Sequence, residues 1–356
     1  KNRFINKELI MYGEGLFLLN SSVMINILIT FFTTLTVAFI LTKKPLALSM
    51  PTDRGLHEKN TPTSSGIALA IGYIFGILLD FSSWFDYMAI LLIIIAVVGF
   101  LDDKYRISKE FRFLIQIILA CLFVYSFGDT SLISFIGFIY IFMIVYSINA
   151  YNFMDGIDSL ILFQSIFVLS SLLLLAPNSI VIQYLHIDLI LAALIALLFF
   201  GKSPSKIFLG NSGSYFLGLY LSMIIITVLY YWDISFLTYS ILFTIILIDT
   251  IYVILKRFFV KLSNLYRENK NLHISIYISL KHITEPHCTH NYQKLTKKIN
   301  SHAKVVFILM LYNILWCLPL AIASAKFDDY ALLCLALSFI PYIIWCYINN
   351  AGVESN

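Results

Sequence analysis

Charge is what this sequence has least of. Only 12% of its 356 residues are Asp, Glu, Lys or Arg, against 60% hydrophobic residues and a mean hydropathy of +0.87. Soluble domains carry about 25% charged residues, so the composition excludes a soluble fold and identifies an integral membrane protein. Cysteine is sparse as well. Cys121, Cys317, Cys334 and Cys346 fall inside apolar runs and Cys288 has no cysteine partner at metal spacing, which excludes a disulfide framework and a zinc site. No cleavable signal peptide is evident, because the chain is polar up to about Gly15 and its first apolar run is long enough to remain as an anchor. No internal repeat is visible, and short connections leave no room for a folded extramembrane domain except around 256–302. The expectation is one helical domain over 1–356, with 256–302 as a loop within it.

What is abundant is long apolar runs. Crossing about 30 Å of hydrocarbon as a helix takes roughly 20 apolar residues. Such runs lie near 22–42, 64–80, 84–101, 111–128, 131–148, 159–176, 184–200, 214–231, 234–255, 303–324 and 329–349. The predicted fold class is therefore all-α, a polytopic bundle of about eleven transmembrane helices. Lys and Arg are retained on the cytoplasmic side of short loops. All but Lys1, Arg3, Lys7 and Lys326 of the 24 basic residues fall in or at the edges of the loops after spans 1, 3, 5, 7 and 9. Those loops are predicted to be cytoplasmic.

The same loops hold nearly every polar cluster. The first reads RGLHEKNTPTSSG (Arg54 to Gly66), the second GFLDDKYRISK (Gly99 to Lys109) and the third NAYNFMDGID (Asn149 to Asp158). The fourth reads GKSPSKIFLGNSGS (Gly201 to Ser214), and the fifth contains EPHCTHNYQK (Glu285 to Lys294). Each has a bland reading: adjacent aspartates at a helix end are commonly solvated, Asp155 and Asp158 flank a Gly156 that suits a helix cap, and a Gly/Ser turn is usually only a turn. The histidine pair His287 and His290 sits in a basic loop where surface residues are the rule. Their confinement to one face carries more weight than any one of them. Acids, amides, histidines and the exposed N–H groups of a helix start together suit phosphorylated ligands.

GFLDD, NAYNFMDGID, IFLGNSGS and HCTHNYQ, in this order and at these topological positions, resemble the polyprenyl-phosphate N-acetylhexosamine-1-phosphate transferase superfamily, of the glycosyltransferase family 4 type. The last motif is similar to that of the O-antigen and capsule initiating branch. The resemblance covers about Arg54 to Gln293. It implies Mg2+-dependent transfer of a sugar 1-phosphate, with Mn2+ as an alternative ion, from a UDP-N-acetylhexosamine to undecaprenyl phosphate. UMP and undecaprenyl-pyrophosphoryl-sugar would result, the lipid on which a lipopolysaccharide or capsule chain is begun. It also implies the roles of residues. Asp102 and Asp103 would be catalytic, with Asp102 favoured for the side facing the nucleophile. Asp102, Asp103, Asp155 and Asn211 would hold the metal. Asn149, Asn152, Asp155 and Asp158 would line the nucleotide side, and His287 and His290 would neutralise the pyrophosphate. Arg54, His57 and Lys59 would contact phosphate. The expected partners are the UDP-sugar, undecaprenyl phosphate and the bilayer, with a second copy of the chain admissible and no nucleic acid.

Several positions depart from the family pattern. Asn211 stands where an aspartate is expected, Gly201 replaces an amide, Ser64 and Ser65 replace a glycine pair, and Asn264–Ser279 is an apparent insertion expected to form an extra element. Two readings from other classes follow. One is an inactive relative serving as an assembly partner. The other is a lipid or solute transporter, which would place its charges nearer the bilayer midplane.

Overall fold

The computed structural model describes residues 21–49, 60–78, 83–127, 134–175, 186–231, 235–268, 271–285 and 287–354. Helices dominate. In chain order α1 is Ser21–Lys43, α2 Gly66–Ile77, α3 Ser83–Tyr105, α4 Lys109–Tyr125, α5 Phe135–Met154 and α6 Leu160–Leu175. They are followed by α7 Ile187–Gly201, α8 Gly210–Tyr231, α9 Phe236–Leu242, α10 Thr244–Arg267, α11 Leu272–Ile283 and α12 Asn291–Ile299. The last are α13 His302–Tyr312, α14 Leu318–Lys326 and α15 Ala331–Ile348. A two-stranded antiparallel hairpin, β1 Ala47–Ser49 with β2 Thr61–Thr63, sets Leu48 opposite Pro62.

Apart from this hairpin the chain is a helical membrane protein, and each of the eleven predicted apolar runs contains a helix. Helix length and composition do not establish the finer expectation of about eleven crossings. Among the described residues five helices are long and apolar enough to span a bilayer, or six if the bent pair α9 and α10 is one span. Three more, α2, α6 and α7, are apolar but short. Length separates these three from the five, and apolar composition does not by itself count crossings, because it records burial in protein as well as burial in lipid. Helix α8 shows this, since 94% of its apolar window is buried inside the molecule, where α2, α3, α5 and α6 surround it. By contrast α5 turns Phe135, Ile136, Phe138 and Phe142 outward, a face suited to hydrocarbon.

The axis turns by 83° between α9 and α10. A kink of this size needs an identifiable group to satisfy the interrupted backbone. Here the Gln164 amide of α6 donates to the Leu242 carbonyl at 3.2 Å, and Asn313 donates to Gln164 Oε1 at 2.6 Å. Asn313 opens the π-helical turn Asn313–Cys317 that joins α13 to α14. The insertion expected at Asn264–Ser279 takes up the end of α10 and most of α11, which pack together.

Candidate active site

The polar loops converge where α8 begins. Phe208 N donates to the Pro62 carbonyl of β2 at 2.8 Å, and Ser65 and Gly66 donate to the carbonyls of Phe208 and Leu209 at 3.1 Å each. The loop ahead of α8 is thus laced to the hairpin and to the start of α2. Gly210 turns this loop with φ at +73°, and a Cβ there would run into the Asp103 carboxylate.

Adjacent carboxylates at the end of α3 do different things. Asp103 Oδ1 accepts the Asn211 backbone N–H at 3.0 Å, and its Oδ2 accepts the Ser64 hydroxyl at 2.9 Å. It therefore satisfies one of the unpaired donors at the start of α8, where a negative charge is also favoured by the helix dipole. Burial nevertheless pushes its pKa up to about 6, against the lowering effect of these hydrogen bonds. Asp102 is only 5% exposed, and its Oδ2 takes three donors: the Arg112 guanidinium, the Asn211 side-chain amide at 2.7 Å and the Tyr215 hydroxyl at 3.1 Å.

A polar cavity of about 280 Å³ opens beside Asp103. Asp103, Asn152, Asp155, Asp158 and Asn211 line it, together with Gln293 from α12 and His302 from the start of α13. Asp155 is half-buried at the cavity wall, and burial, with Asp103 and Asp158 nearby, holds its pKa well above the usual carboxylate range. Asp158 goes the other way. Burial opposes its charge, but hydrogen bonds from His302, Ser203 and Ser205 outweigh it and lower the pKa. His302 Nδ1 lies 3.2 Å from Asp158 Oδ2, and Ser205 N donates to the same oxygen at 3.3 Å. Gly156 is pressed against α12, and a Cβ there would overlap the Tyr292 hydroxyl.

The structure thus brings together Asp103, Asn152, Asp155, Asp158 and Asn211 from the sequence expectation. It sets Asp102 behind them in an ion pair, so Asp103 rather than Asp102 faces the cavity. Asn149 does not line the cavity; its amide donates to Gln116 Oε1 at 2.7 Å and braces α5 against α4. His287 and His290 stack with ring centroids 5.0 Å apart outside the cavity wall, and the residue of this loop that reaches the wall is Gln293. Burial, helped by His290, Arg257 and His282, lowers the His287 pKa to about 3, so its ring is uncharged near neutrality. Arg54, His57 and Lys59 lie outside the described residues.

Sequence reasoning passed over Arg112, Tyr215, Gln293 and His302. Arg112 counted only as a charge that sets topology, and Gln293 lay in a quoted motif without being singled out. His302 carried no signal at all, since its partner Asp158 is 144 residues away.

A second cavity of about 770 Å³ is an apolar groove between α6 and α13. Phe163, Phe167 and Leu174 form one wall, and Val306, Phe307 and Met310 the other. Its polar end carries Lys202, Ser203, Asp158 and Ser159. Asp158 and Ser159 also line the polar cavity, so the two spaces meet there.

A helical membrane protein with an acid-lined cavity opening onto an apolar groove is a class that includes enzymes acting on amphiphiles. Residues 85–229 match glycosyl transferase family 4. The chain is similar to a probable undecaprenyl-phosphate N-acetylglucosaminyl 1-phosphate transferase of Bacillus subtilis, 31% identical over 263 residues, covering 66% of this chain and 72% of that protein. It is also similar to a phospho-N-acetylmuramoyl-pentapeptide-transferase of Streptococcus agalactiae, 28% identical over 53% of this chain and 66% of that protein. A putative UDP-N-acetylglucosamine–dolichyl-phosphate N-acetylglucosaminephosphotransferase of Saccharolobus solfataricus is 30% identical over 55% of this chain and 68% of that protein. The chain belongs to the polyprenyl-phosphate N-acetylhexosamine-1-phosphate transferase superfamily.

Proposed function

We propose that this protein transfers a sugar 1-phosphate from a UDP-N-acetylhexosamine to undecaprenyl phosphate at the cytoplasmic face of a bacterial plasma membrane. An oxygen of the acceptor phosphate attacks the sugar-linked β-phosphorus. The new P–O bond joins acceptor to donor phosphate, the bond between the α- and β-phosphoryl groups breaks, and UMP leaves. The lipid-linked sugar then begins a surface polysaccharide, an O-antigen or a capsule. The observation that carries this reading is the meeting of the two cavities at Asp158 and Ser159. One space suits an anionic, hydrogen-bonding donor, and the other suits an apolar chain with a phosphate head near Lys202.

Bringing two phosphate anions together is aided by a hard divalent cation. Magnesium is commonly held by one or two carboxylates plus substrate phosphates rather than by a complete protein cage. Two carboxyl groups on one cavity wall would suit such a donor set. Among the described residues no three His, Cys, Asp or Glu groups form a metal site by themselves, while the carboxyl groups of Asp103 and Asp155 share one cavity. These two residues would hold Mg2+ or Mn2+, and the ion would neutralise charge on the reacting phosphates. Asp102 is engaged both with Asn211 and with Arg112, so the part of Asp102 and Asn211 is to hold the end of α3 against the start of α8. Asp158, Asn152, Gln293 and His302 bind the donor.

The test is UMP release by the purified protein with undecaprenyl phosphate, Mg2+ and a panel of UDP-N-acetylhexosamines. Release with at least one donor, abolished in Asp103→Asn, is expected. No release with any donor, and none restored by Asn211→Asp, would leave the assembly-partner reading in its place.

A further inference from the structure

We infer that Asp249 is a positioning residue of this site, acting through the start of α12 to aim the Gln293 amide into the polar cavity. The inference rests on the proposed reading of that cavity as the UDP-sugar site. Asp249 lies in an otherwise apolar stretch of α10 and is fully buried. A carboxylate in such a place is costly unless every lone pair finds a donor.

Four donors meet it, all from outside its own helix. Oδ1 accepts His290 Nδ1 at 3.0 Å and Asn291 N at 2.9 Å. Oδ2 accepts Tyr292 N at 3.1 Å and the Tyr342 hydroxyl of α15 at 3.1 Å. Two of these are backbone N–H groups of the first turn of α12, which have no partner within their own helix.

The consequences run in two directions from that turn. Because the carboxylate only accepts, His290 carries its proton on Nδ1. Its backbone N–H donates to Gln293 Oε1 at 3.1 Å. With Oε1 so engaged, Nε2 is the atom that Gln293 presents beside Gly156 at the cavity wall. The Tyr292 hydroxyl meanwhile donates to the Phe153 carbonyl at 2.8 Å, which ties α12 to the turn carrying Asp155. The other side of the loop is braced by the C-terminal segment, where Asn349 donates to Asn291 Oδ1 at 2.8 Å and Gly352 N donates to the Thr289 carbonyl at 2.8 Å. Asp249 itself does not line the cavity, so its influence on a ligand passes through these contacts. The Gln293 amide donates there to a phosphate or carbonyl oxygen of a nucleoside diphosphate sugar.

The test combines kinetics with histidine ring NMR on ¹⁵N-His protein in detergent, with His290 assigned by His290→Gln. The parent should show His290 protonated on Nδ1, and Asp249→Asn should change that ring signature. Asp249→Asn should also raise the UDP-sugar KM about ten-fold or more, as misplacement of a supporting group does. Gln293→Ala, which leaves the buried carboxylate in place, should reproduce the KM effect without the change at His290. Tyr342→Phe keeps the carboxylate and should stay within about three-fold of the parent. An unchanged His290 signature in Asp249→Asn, an unchanged KM in Gln293→Ala, or equal losses in Asp249→Asn and Tyr342→Phe would overturn the proposal. Absence of transfer by the parent, with the NMR signature as expected, would instead count against the functional reading.

Discussion

At the scale of single residues, the two aspartates at the end of α3 predict separable phenotypes. Asp103 faces the cavity, so Asp103→Asn should abolish UMP release, while the remaining side-chain oxygen still accepts the Asn211 N–H and limits the loss of stability. Asp102→Asn should do the reverse in part. It weakens the ion pair with Arg112, and a hydrogen bond to a charged partner contributes about 2 kcal/mol. The expected result is a lower melting temperature in detergent, read by intrinsic fluorescence. His287 predicts a pH dependence. Its folded pKa, about 3, lies below the ordinary 6.5 because burial disfavours the imidazolium, with the neighbouring His290, Arg257 and His282 adding to the effect. Between those values the unfolded chain binds more protons, so this contribution to stability is complete above about pH 6.5 and is lost as pH falls towards 3. His287→Gln should flatten the corresponding part of the melting-temperature profile over that window. A profile unchanged by the substitution would refute the assignment.

At the scale of elements, the start of α8 is where the loops are held together. Gly210→Ala would place a side chain at a φ of +73° and drive it into Asp103. A cost of about 1–3 kcal/mol is expected for a residue held in that region, along with loss of transfer, because the turn and the Asp103 carboxylate cannot both keep their places. Thermal unfolding and UMP release, measured on the same preparation, check both. The element scale also shows how far the polar loops could be read. NAYNFMDGID was recognisable as a site because two amides and two acids at the end of an apolar run need a purpose. Yet Asn149 turns to Gln116 of α4 while Asn152, one turn later, reaches the cavity. Spacing along a helix fixes the relative directions of its side chains, but not which neighbour each direction meets. The histidine loop is similar: its motif was legible, whereas the stacking of His287 on His290 and the contact of His290 with a carboxylate 41 residues away were not.

At the scale of the whole molecule, the groove between α6 and α13 should serve the acceptor and leave the donor alone. Val306→Trp would fill it. The expected outcome is a raised KM for undecaprenyl phosphate, an unchanged KM for the UDP-sugar, and little effect with a short-chain acceptor such as farnesyl phosphate. Equal effects on both substrates would place the lipid chain elsewhere.

The sequence by itself determined that this chain is helical and membrane-borne, that its polar residues gather in a few loops, and which family those loops identify. These are properties of composition and local order, and apolar runs of helical length with short polar breaks have few other solutions in a bilayer. Only the tertiary structure decided that α8 is wrapped by protein, that Asp103 and not Asp102 faces the cavity, and that His302 lines it. Successive residues of a helix point about 100° apart, so adjacent aspartates must look in different directions. Which of them meets a ligand is settled by helices more than 100 residues away in the chain, as when Asn211 and Tyr215 of α8 claim Asp102.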